Sequence, residues 1–418
     1  MSDRLGVLRD PSFRTFWIGE SISFIGSHVT ELAFPLTAVL LLHATADQMG
    51  LLTAIGYVPF LLIGLLTGVW VDRLRRRPIL IATDLVAAAA VGLVPVAFLL
   101  DSLRIEVVFL SAFVMGFVEV VTPVASQSFV PTLAGRDRLV EANARLEASH
   151  SVASIAGPSL GGVLVQILTA PVALVVDSVS YLISAAALAS IRVDEPAPWR
   201  ADRDVSMRGQ IADGLRLVAA TPILRALVTC GSIHNFFSRM IDALFVLYAV
   251  TTLGLEPAGI GLVLAAAGPG SLLGALTVGR LDERLGVGRL IVVSQIGTGI
   301  SRLLVPVAGL TGGGAGAIAI LAASTFVLGL VRTAFNVTQV SLRVAITEDR
   351  MHGRVNATMR FVMWGVTPFG AVAGGLLAAS AFGLERTLVL AGLGVLAATL
   401  PLLTPAIRSV RAIPTGIG

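Results

Sequence analysis

Leu51 to Val71 carries no charged residue, and Ile79 to Leu100 carries one, Asp84. Between them a short polar interruption sets Asp72 beside Arg73, Arg75, Arg76 and Arg77. Each flank is long enough to cross a bilayer, since about 20 apolar residues in a helix match the hydrocarbon core. Hydrocarbon offers no partner to a peptide N–H or C=O, so a chain that enters it must be helical or a closed barrel. The same pattern recurs along the sequence. Apolar runs occupy about 15–42, 48–71, 79–100, 105–129, 147–168 and 172–191, and then 224–252, 258–279, 288–310, 315–340, 359–381 and 384–404. They are numbered here as spans 1 to 12. Barrel strands would alternate in polarity over roughly ten residues, whereas these runs are continuously apolar.

Composition agrees. Charged residues make up 13% of the chain, about half the roughly 25% of soluble proteins, and the mean hydropathy is +0.88. A water-soluble core could not absorb that much apolar surface. The pI near 10.1 would suit nucleic acid, but the arginines fall in short connections, which the positive-inside rule explains and phosphate binding does not. No nucleic-acid partner is therefore expected. One side collects Arg4, Arg9, Arg14, the Arg73–Arg77 group, Arg136, Arg138, Arg145, Arg192, Arg200, Arg203, Arg208 and Arg216. It continues with Arg280, Arg284, Arg289, Arg343, Arg350, Arg354, Arg408 and Arg411, while the other side holds only Arg104 and Arg386. An even number of spans then places both termini in the cytoplasm. The polar, basic start of the chain has no small-residue cleavage site, so no cleaved signal peptide is expected. All basic side chains except histidine are arginine, with no lysine, a usage that suits a GC-rich bacterial genome.

Arg192 to Thr221 is the one long hydrophilic stretch and divides the chain into an N-terminal half, 1–191, a linker, 192–221, and a C-terminal half, 222–418. Within the linker, Met207, Ile211, Leu215 and Val218 recur at helical spacing, the pattern of an interfacial helix. The halves echo one another. Pro11 and Arg14 match Pro222 and Arg225 at a shift of 211 (222 − 11), and Pro59, Gly64 and Asp72 match Pro269, Gly274 and Asp282 at 210 (282 − 72). Asn143, Gly157, Gly161 and Gly162 match Asn356, Gly370, Gly374 and Gly375 at 213 (356 − 143). A nearly constant shift over several spans indicates duplication, and paired six-helix repeats are an established plan for membrane transporters.

Gly68-Val-Trp-Val-Asp72-Arg73-Leu-Arg75-Arg76-Arg77 resembles the signature between the second and third spans of the major facilitator superfamily. Ala153-Ser-Ile-Ala-Gly157-Pro158-Ser-Leu-Gly161-Gly162 is similar to the span-5 motif of that superfamily's drug:proton antiporters, with Ala153 at the motif's first glycine. Phe129-Val-Pro131, Leu139 to Asn143 and Asp177 to Tyr181 resemble the branch that holds macrolide-efflux and siderophore-export proteins. The resemblance implies an all-α membrane fold of about twelve helices in two pseudo-symmetric halves, and spans 1, 4, 7 and 10 around a central cavity. It implies export of a small amphipathic organic compound in exchange for protons, by a monomer surrounded by membrane lipid and without a cofactor. A facilitator or importer of a small metabolite, or a membrane sensor, are the alternatives.

Charges inside a span cost roughly 2.5–3.5 kcal/mol each on insertion scales and call for an account. His28 and Glu31 stand in span 1, Glu119 in span 4, Arg239 and Asp242 in span 7 and Arg332 in span 10. Glu31 and His28 correspond to Asp242 and Arg239 at a shift of 211 (242 − 31), and Glu119 to Arg332 at 213 (332 − 119). Desolvation favours a neutral carboxyl and a nearby cation favours the carboxylate, which makes Glu31, Asp242 and Glu119 candidate proton carriers. Glu119 and Arg332 are a candidate ion pair or switch. His28, Arg239, Arg332, Asn235, Asn336 and Gln339 are candidates for the cavity and substrate. Asp177 and Arg302 lie off these four spans and read as structural. Gly157, Pro158, Gly161 and Gly162 permit close helix approach and a kink. Gly68, Asp72, Arg73, Arg76 and Arg77 read as a cytoplasmic latch in which Asp72 holds the neighbouring half. The five histidines lack metal-ligand spacing, no P-loop or nucleophile elbow is present, and neither enzyme nor metal chemistry is expected.

Overall fold

The computed structural model describes residues 6–195, 207–348 and 351–412, apart from the side chains of Val69, Asp72 and residues 207–212. Arg4, Arg200, Arg203 and Arg350, and the side chains of Met207, Arg208 and Ile211, thus lie outside the described part. Among the described residues there is no strand, and twelve helical segments are long and apolar enough to cross a membrane. Spans 1 to 6 are Pro11–Leu40, Ala46–Ile63, Arg76–Leu99, Ile105–Ala134, Arg136–Leu168 and Ala170–Ser190. Spans 7 to 12 are Pro222–Thr251, Pro257–Leu285, Val287–Thr311, Gly314–Ala345, His352–Ala379 and Leu384–Leu403.

Local chemistry sets the boundaries. Asp10 caps span 1 by accepting the backbone N–H groups of Ser12 (2.8 Å) and Phe13 (3.3 Å), and Pro11 occupies the first turn, where its missing N–H costs nothing. Span 4 stops at Ala134 because Gly135 turns out with φ of +73°, a conformation that penalises any Cβ. The polar interruption after span 2 forms its own short helix, Thr67–Asp72. Span 3 begins where the Glu195 carboxylate accepts the backbone N–H groups of Arg76 (2.6 Å) and Arg77 (3.0 Å). Arg77 in turn donates from Nε to the Leu188 carbonyl (2.8 Å) and from Nη2 to that of Ala189 (2.6 Å). A cation therefore closes the negative end of span 6 while an anion closes the positive end of span 3.

The described residues separate into two compact units. The first contains Met1–Ala44, Ile55–Ala201 and Glu256–Ala265, and the second Thr45–Ala54, Asp202–Leu255 and Ala266–Gly418. The exchanged segments correspond to one another at the shift of the span-1 and span-7 charges, 211 (256 − 45 and 265 − 54). In the second unit, a Cβ on Gly375 would lie 2.8 Å from the Ala46 carbonyl oxygen, 2.9 Å from Gly50 Cα and 3.1 Å from Asp47 Cα. In the first, a Cβ on Gly162 would crowd the Pro257 carbonyl and lie 3.1 Å from both Ala258 Cα and Gly261 Cα. These are the same contacts displaced by 213 on one side (375 − 162) and 211 on the other (261 − 50). The duplication therefore extends to backbone-on-backbone packing, which only glycine allows at that distance.

The linker helix, Met207–Ala220, does not lie free. Its Val218 is buried in the core of the second unit together with Val355 and Met359, and Leu217 packs beside them. Arg354 reaches Asp213 at 3.5 Å, and Gly214 abuts Thr358. Of the apolar stripe expected to meet lipid, Val218 turns inward while Leu215 stays exposed.

Close packing at a glycine with no polar neighbour tests this framework cleanly. A Cβ at Gly299 of span 9 would lie 2.6 Å from Leu396 Cα of span 12, so Gly299→Leu should cost about 1–3 kcal/mol by overpacking. Gly279 has nothing within 4 Å of a Cβ, and Gly279→Ala should leave stability unchanged or raise it by up to about 1 kcal/mol. Thermal unfolding in detergent reads the difference.

Candidate functional site

The charged residues of span 1 and span 7 behave as the duplication implies. His28 Nδ1 lies 3.1 Å from Glu31 Oε2, and Arg239 Nη1 lies 3.2 Å from Asp242 Oδ2. Residues three apart share a helical face, so each pair stands on one face of its helix at equivalent positions. Their surroundings differ. In the first unit Glu31 is exposed, with 75% of its side chain accessible, while His28 is 19% accessible. The His28 ring tilts toward His150 of span 5 at 5.9 Å, and His150 in turn meets Phe24 edge-on at 5.3 Å. Glu119 of span 4, also exposed, is within electrostatic reach of Glu31 and His28.

In the second unit Asp242 is clamped twice. Besides Arg239 it meets Arg302 Nη1 of span 9 at 2.8 Å. Arg302, read from sequence as a structural residue away from the main charge set, is thus the tighter partner of a residue within that set. Its side chain is 14% accessible and its Nε has no hydrogen-bond partner. Arg332 of span 10 also acts on Asp242 and on His234. His234 stands one helical turn from Ser238 (3.4 Å) and beside Gln295 of span 9 (3.3 Å). Gln295 Nε2 donates to the Val395 carbonyl at 3.0 Å, tying span 12 to the same group. Glu119 and Arg332 each stand in their own unit, with Glu31 and His28 around the first and Asp242 and His234 around the second.

The neutral candidates divide. Asn235 Nδ2 donates to the Met363 carbonyl at 2.7 Å, where span 11 is interrupted between its helices His352–Gly365 and Thr367–Ala379. It joins two helices. Asn336 is exposed and Gln339 half-buried, four and seven residues beyond Arg332 and therefore on its face. Asn235, Arg239 and Asp242 have that same spacing on span 7. Gly157 abuts the His28 side chain, a Cβ on Gly161 would lie 3.1 Å from Val29 Cα, and the Pro158 carbonyl crowds Gly261. Gly157, Pro158, Gly161 and Gly162 thus bring span 5 against span 1 on one side and the start of span 8 on the other. A Cβ at Gly68 would meet nothing within 4 Å. Arg76 and Arg77 are tied to their own unit through the bonds at Glu195, Leu188 and Ala189.

Several buried polar residues are either unassigned from sequence, as Glu20, Asp84 and Ser184 are, or read there as structural, as Asp177 is. Glu20 is buried in span 1, as are Asp84 in span 3 and Asp177 and Ser184 in span 6. Glu147 and His150 line a groove of about 450 Å³ with Phe24, Asn143, Ala144 and Leu146. Glu147 and His150 open an apolar run and look like its membrane entry, and Glu20 sits among residues that resemble a span's start. Only their neighbours distinguish them. Among the described residues no group of three or more His, Cys, Asp or Glu has a geometry that could hold a metal ion.

Twelve apolar helices in two related units, with ionisable side chains at equivalent positions, define a multi-pass α-helical membrane protein of the major facilitator fold. Residues 2–415 match the family described as transmembrane secretion effector, and the chain belongs to it. It is 29% identical to the multidrug efflux pump Tap of Mycolicibacterium fortuitum over 58% of this chain and 60% of that protein. It is 23% identical to macrolide efflux protein A of Streptococcus pyogenes, over 60% of this chain and 62% of that one. The chain thus spans about three-fifths of the length of these curated relatives. A bacterial homologue of the lysosomal transporter Spinster, solved inward-facing and unoccupied, superimposes with a TM-score of 0.69 at 15% identity, covering 98% of both chains. That likeness concerns the fold.

The two-sided clamp on Asp242 has a measurable consequence. Removing one member of a fully buried ion pair costs about 3–5 kcal/mol because the other charge is stranded, and this pair, with side chains 14% and 30% accessible, should cost less. Arg302→Gln and Asp242→Asn should each lower the unfolding temperature in detergent, and the double variant should lose less than the sum. A coupling energy above about 1 kcal/mol is expected, and additivity within about 0.3–0.5 kcal/mol would mean that the contact does not hold the helices.

Proposed function

We propose that this transporter exports a small amphipathic organic compound, such as a drug, antibiotic or siderophore, across the cytoplasmic membrane of a bacterium. Alternating access exchanges the compound for protons. The observation that carries this reading is the placement of ionisable side chains on spans 1, 4, 7 and 10: His28 with Glu31, Glu119, Arg239 with Asp242, and Arg332. Charges in apolar helices are retained where they bind ions or substrate. The relatives named as efflux pumps support the outward direction. The arginine-rich connections support cytoplasmic termini, and a monomer accounts for both units.

Within the site the carboxyls take different parts. Glu31 is paired with His28, Glu119 lies within electrostatic reach of both, and these two acids exchange protons. Asp242, held between Arg239 and Arg302, changes state only when those contacts part, so it reports conformation as well as proton binding. His28, Arg332, Asn336 and Gln339 offer donors and acceptors to a polar substrate group. Asn235 becomes available to it when span 11 moves. Gly157, Pro158, Gly161 and Gly162 form a sliding seam, and Gly68, Asp72, Arg73, Arg76 and Arg77 form the latch. No cofactor enters this scheme, since the ion gradient supplies the energy.

Everted vesicles from an efflux-deficient host provide the test. A susceptibility panel identifies a transported compound, and its accumulation should follow an imposed ΔpH. Glu31→Gln and Glu119→Gln should each reduce ΔpH-driven accumulation by about tenfold or more, a factor worth roughly 1.4 kcal/mol. Undiminished transport in both variants would remove them as proton carriers, and transport indifferent to ΔpH would favour a facilitator. For the latch, Asp72→Asn should shift the balance of inward- and outward-facing states in the purified protein. The shift is read by labelling cysteines introduced at each mouth. Unchanged labelling and transport rate would end that assignment.

A further inference from the structure

Charge inside the second half is one-sided. At nine or more residues from the span ends, spans 7 to 12 hold one acid, Asp242, against three arginines, Arg239, Arg302 and Arg332. That excess is a matter of sequence and holds however each arginine is paired. A charge in an apolar helix is costly and marks a pathway for ions or substrate. An excess of cations calls for an anion from outside the chain.

The geometry within the second unit shows where such an anion would sit. Spans 7 and 9 are bridged by side chains at two levels, His234 with Gln295 at 3.3 Å and Asp242 with Arg302 at 2.8 Å. The offsets of 61 (295 − 234) and 60 (302 − 242) show that the two helices run in the same direction. Asp242 divides its oxygens, with Oδ1 at Arg302 Nη1 and Oδ2 at Arg239 Nη1 (3.2 Å). One carboxylate is therefore shared between two guanidinium groups. Arg302 Nε lies on the other edge of its guanidinium from Nη1 and is buried with no hydrogen-bond partner among the described residues. A buried donor left unmade is expensive, and the Nε edge of a guanidinium is a fork that fits a carboxylate with two parallel bonds. Arg239, Asp242 and Arg302 all remain partly accessible. A Cβ on Gly297 of span 9 would lie 2.9 Å from the Val331 side chain, which sets the Arg332 turn of span 10 against the same helix.

We propose that this arginine cluster is a subsite for an organic anion, and that a carboxylate on the transported compound binds Arg302 in place of Asp242. The assignment rests on the export reading above and narrows its cargo to compounds that carry an acidic group. The incoming carboxylate satisfies the Nε donor and neutralises the excess positive charge. Asp242 is the resident anion and the competitor. When the compound arrives, Asp242 loses its tighter partner, so loading the subsite and parting the clamp between spans 7 and 9 are one event. A neutral amide in the same place cancels no charge.

Fluorescence polarisation on the purified full chain in detergent tests the assignment, with N-dansyl-6-aminohexanoate and its carboxamide as the two probes. Hydrogen bonds to a charged group outweigh neutral ones, so the wild type should bind the carboxylate about tenfold more tightly than the carboxamide. Arg302→Gln should bring that ratio to about one, whereas Arg302→Lys, which keeps the charge without the fork, should retain part of it. Asp242→Asn removes the competing anion and should raise carboxylate affinity about fivefold or more while leaving the carboxamide unchanged. A residue that only held helices together would not strengthen binding on its removal, so Asp242→Asn decides the case even if the Arg302 variants fail to fold. Wild-type protein that binds the carboxylate no more tightly than the carboxamide, or that binds neither, would overturn the assignment. So would a preference that persists in Arg302→Gln, or carboxylate affinity that fails to rise in Asp242→Asn. Transport driven by ΔpH without any carboxylate preference keeps the export reading and removes the subsite. A carboxylate preference in a protein whose transport ignores ΔpH keeps the subsite and removes proton exchange.

Discussion

Hydrocarbon cannot hydrogen-bond, and this structure follows from that fact. Every peptide group in a span must be satisfied by its own helix, and every buried polar side chain by a neighbouring one. Arg77 on the last carbonyls of span 6, Glu195 on the first amides of span 3 and Asn235 on the interrupted span 11 are local solutions to the same constraint. Asp177 is a deeper one. It is fully buried and accepts from Thr30 and Ser180, so spans 1 and 6 are bound by polar contacts where lipid-like packing alone would provide little net attraction.

Where side chains are absent, the backbone supplies the contact. Gly50 against Gly375 in one unit and Gly261 against Gly162 in the other bring helices to a separation that any Cβ would prevent. Because these contacts repeat at the offset of the charged residues, a single ancestral arrangement accounts for both seams. The chemistry built on it has diverged. The first unit carries acids, Glu31, Glu119, Glu20, Asp84 and Asp177, with His28 as the cation near three of them. The second gathers Arg239, Arg302 and Arg332 around one aspartate. Equivalent positions therefore carry an exposed acid beside a histidine in one half and an aspartate clamped by arginines in the other.

Much of this was legible in the sequence. Runs of some twenty continuously apolar residues dictate twelve helices, because lipid admits only helices or closed barrels and barrel strands would alternate in polarity. The near-constant offset between Glu31 and Asp242, Gly161 and Gly374, and Pro59 and Pro269 revealed the duplication, and the i, i+3 spacing of His28–Glu31 and Arg239–Asp242 implied the contacts seen at 3.1 and 3.2 Å. One-dimensional pattern suffices for these features because they depend on hydrophobic length and helical period. Burial and partnership are different. Arg302 lies 60 residues from Asp242 (302 − 242), a separation no helical period connects. Only the packed helices show that Arg302 closes on Asp242 at 2.8 Å while Asp84 is buried with an oxygen that has no hydrogen-bond partner. Sequence determined which segments enter the membrane and which residues are equivalent, since both follow from composition and order. Tertiary structure decided which buried charges are compensated, since that depends on the few ångströms between helices.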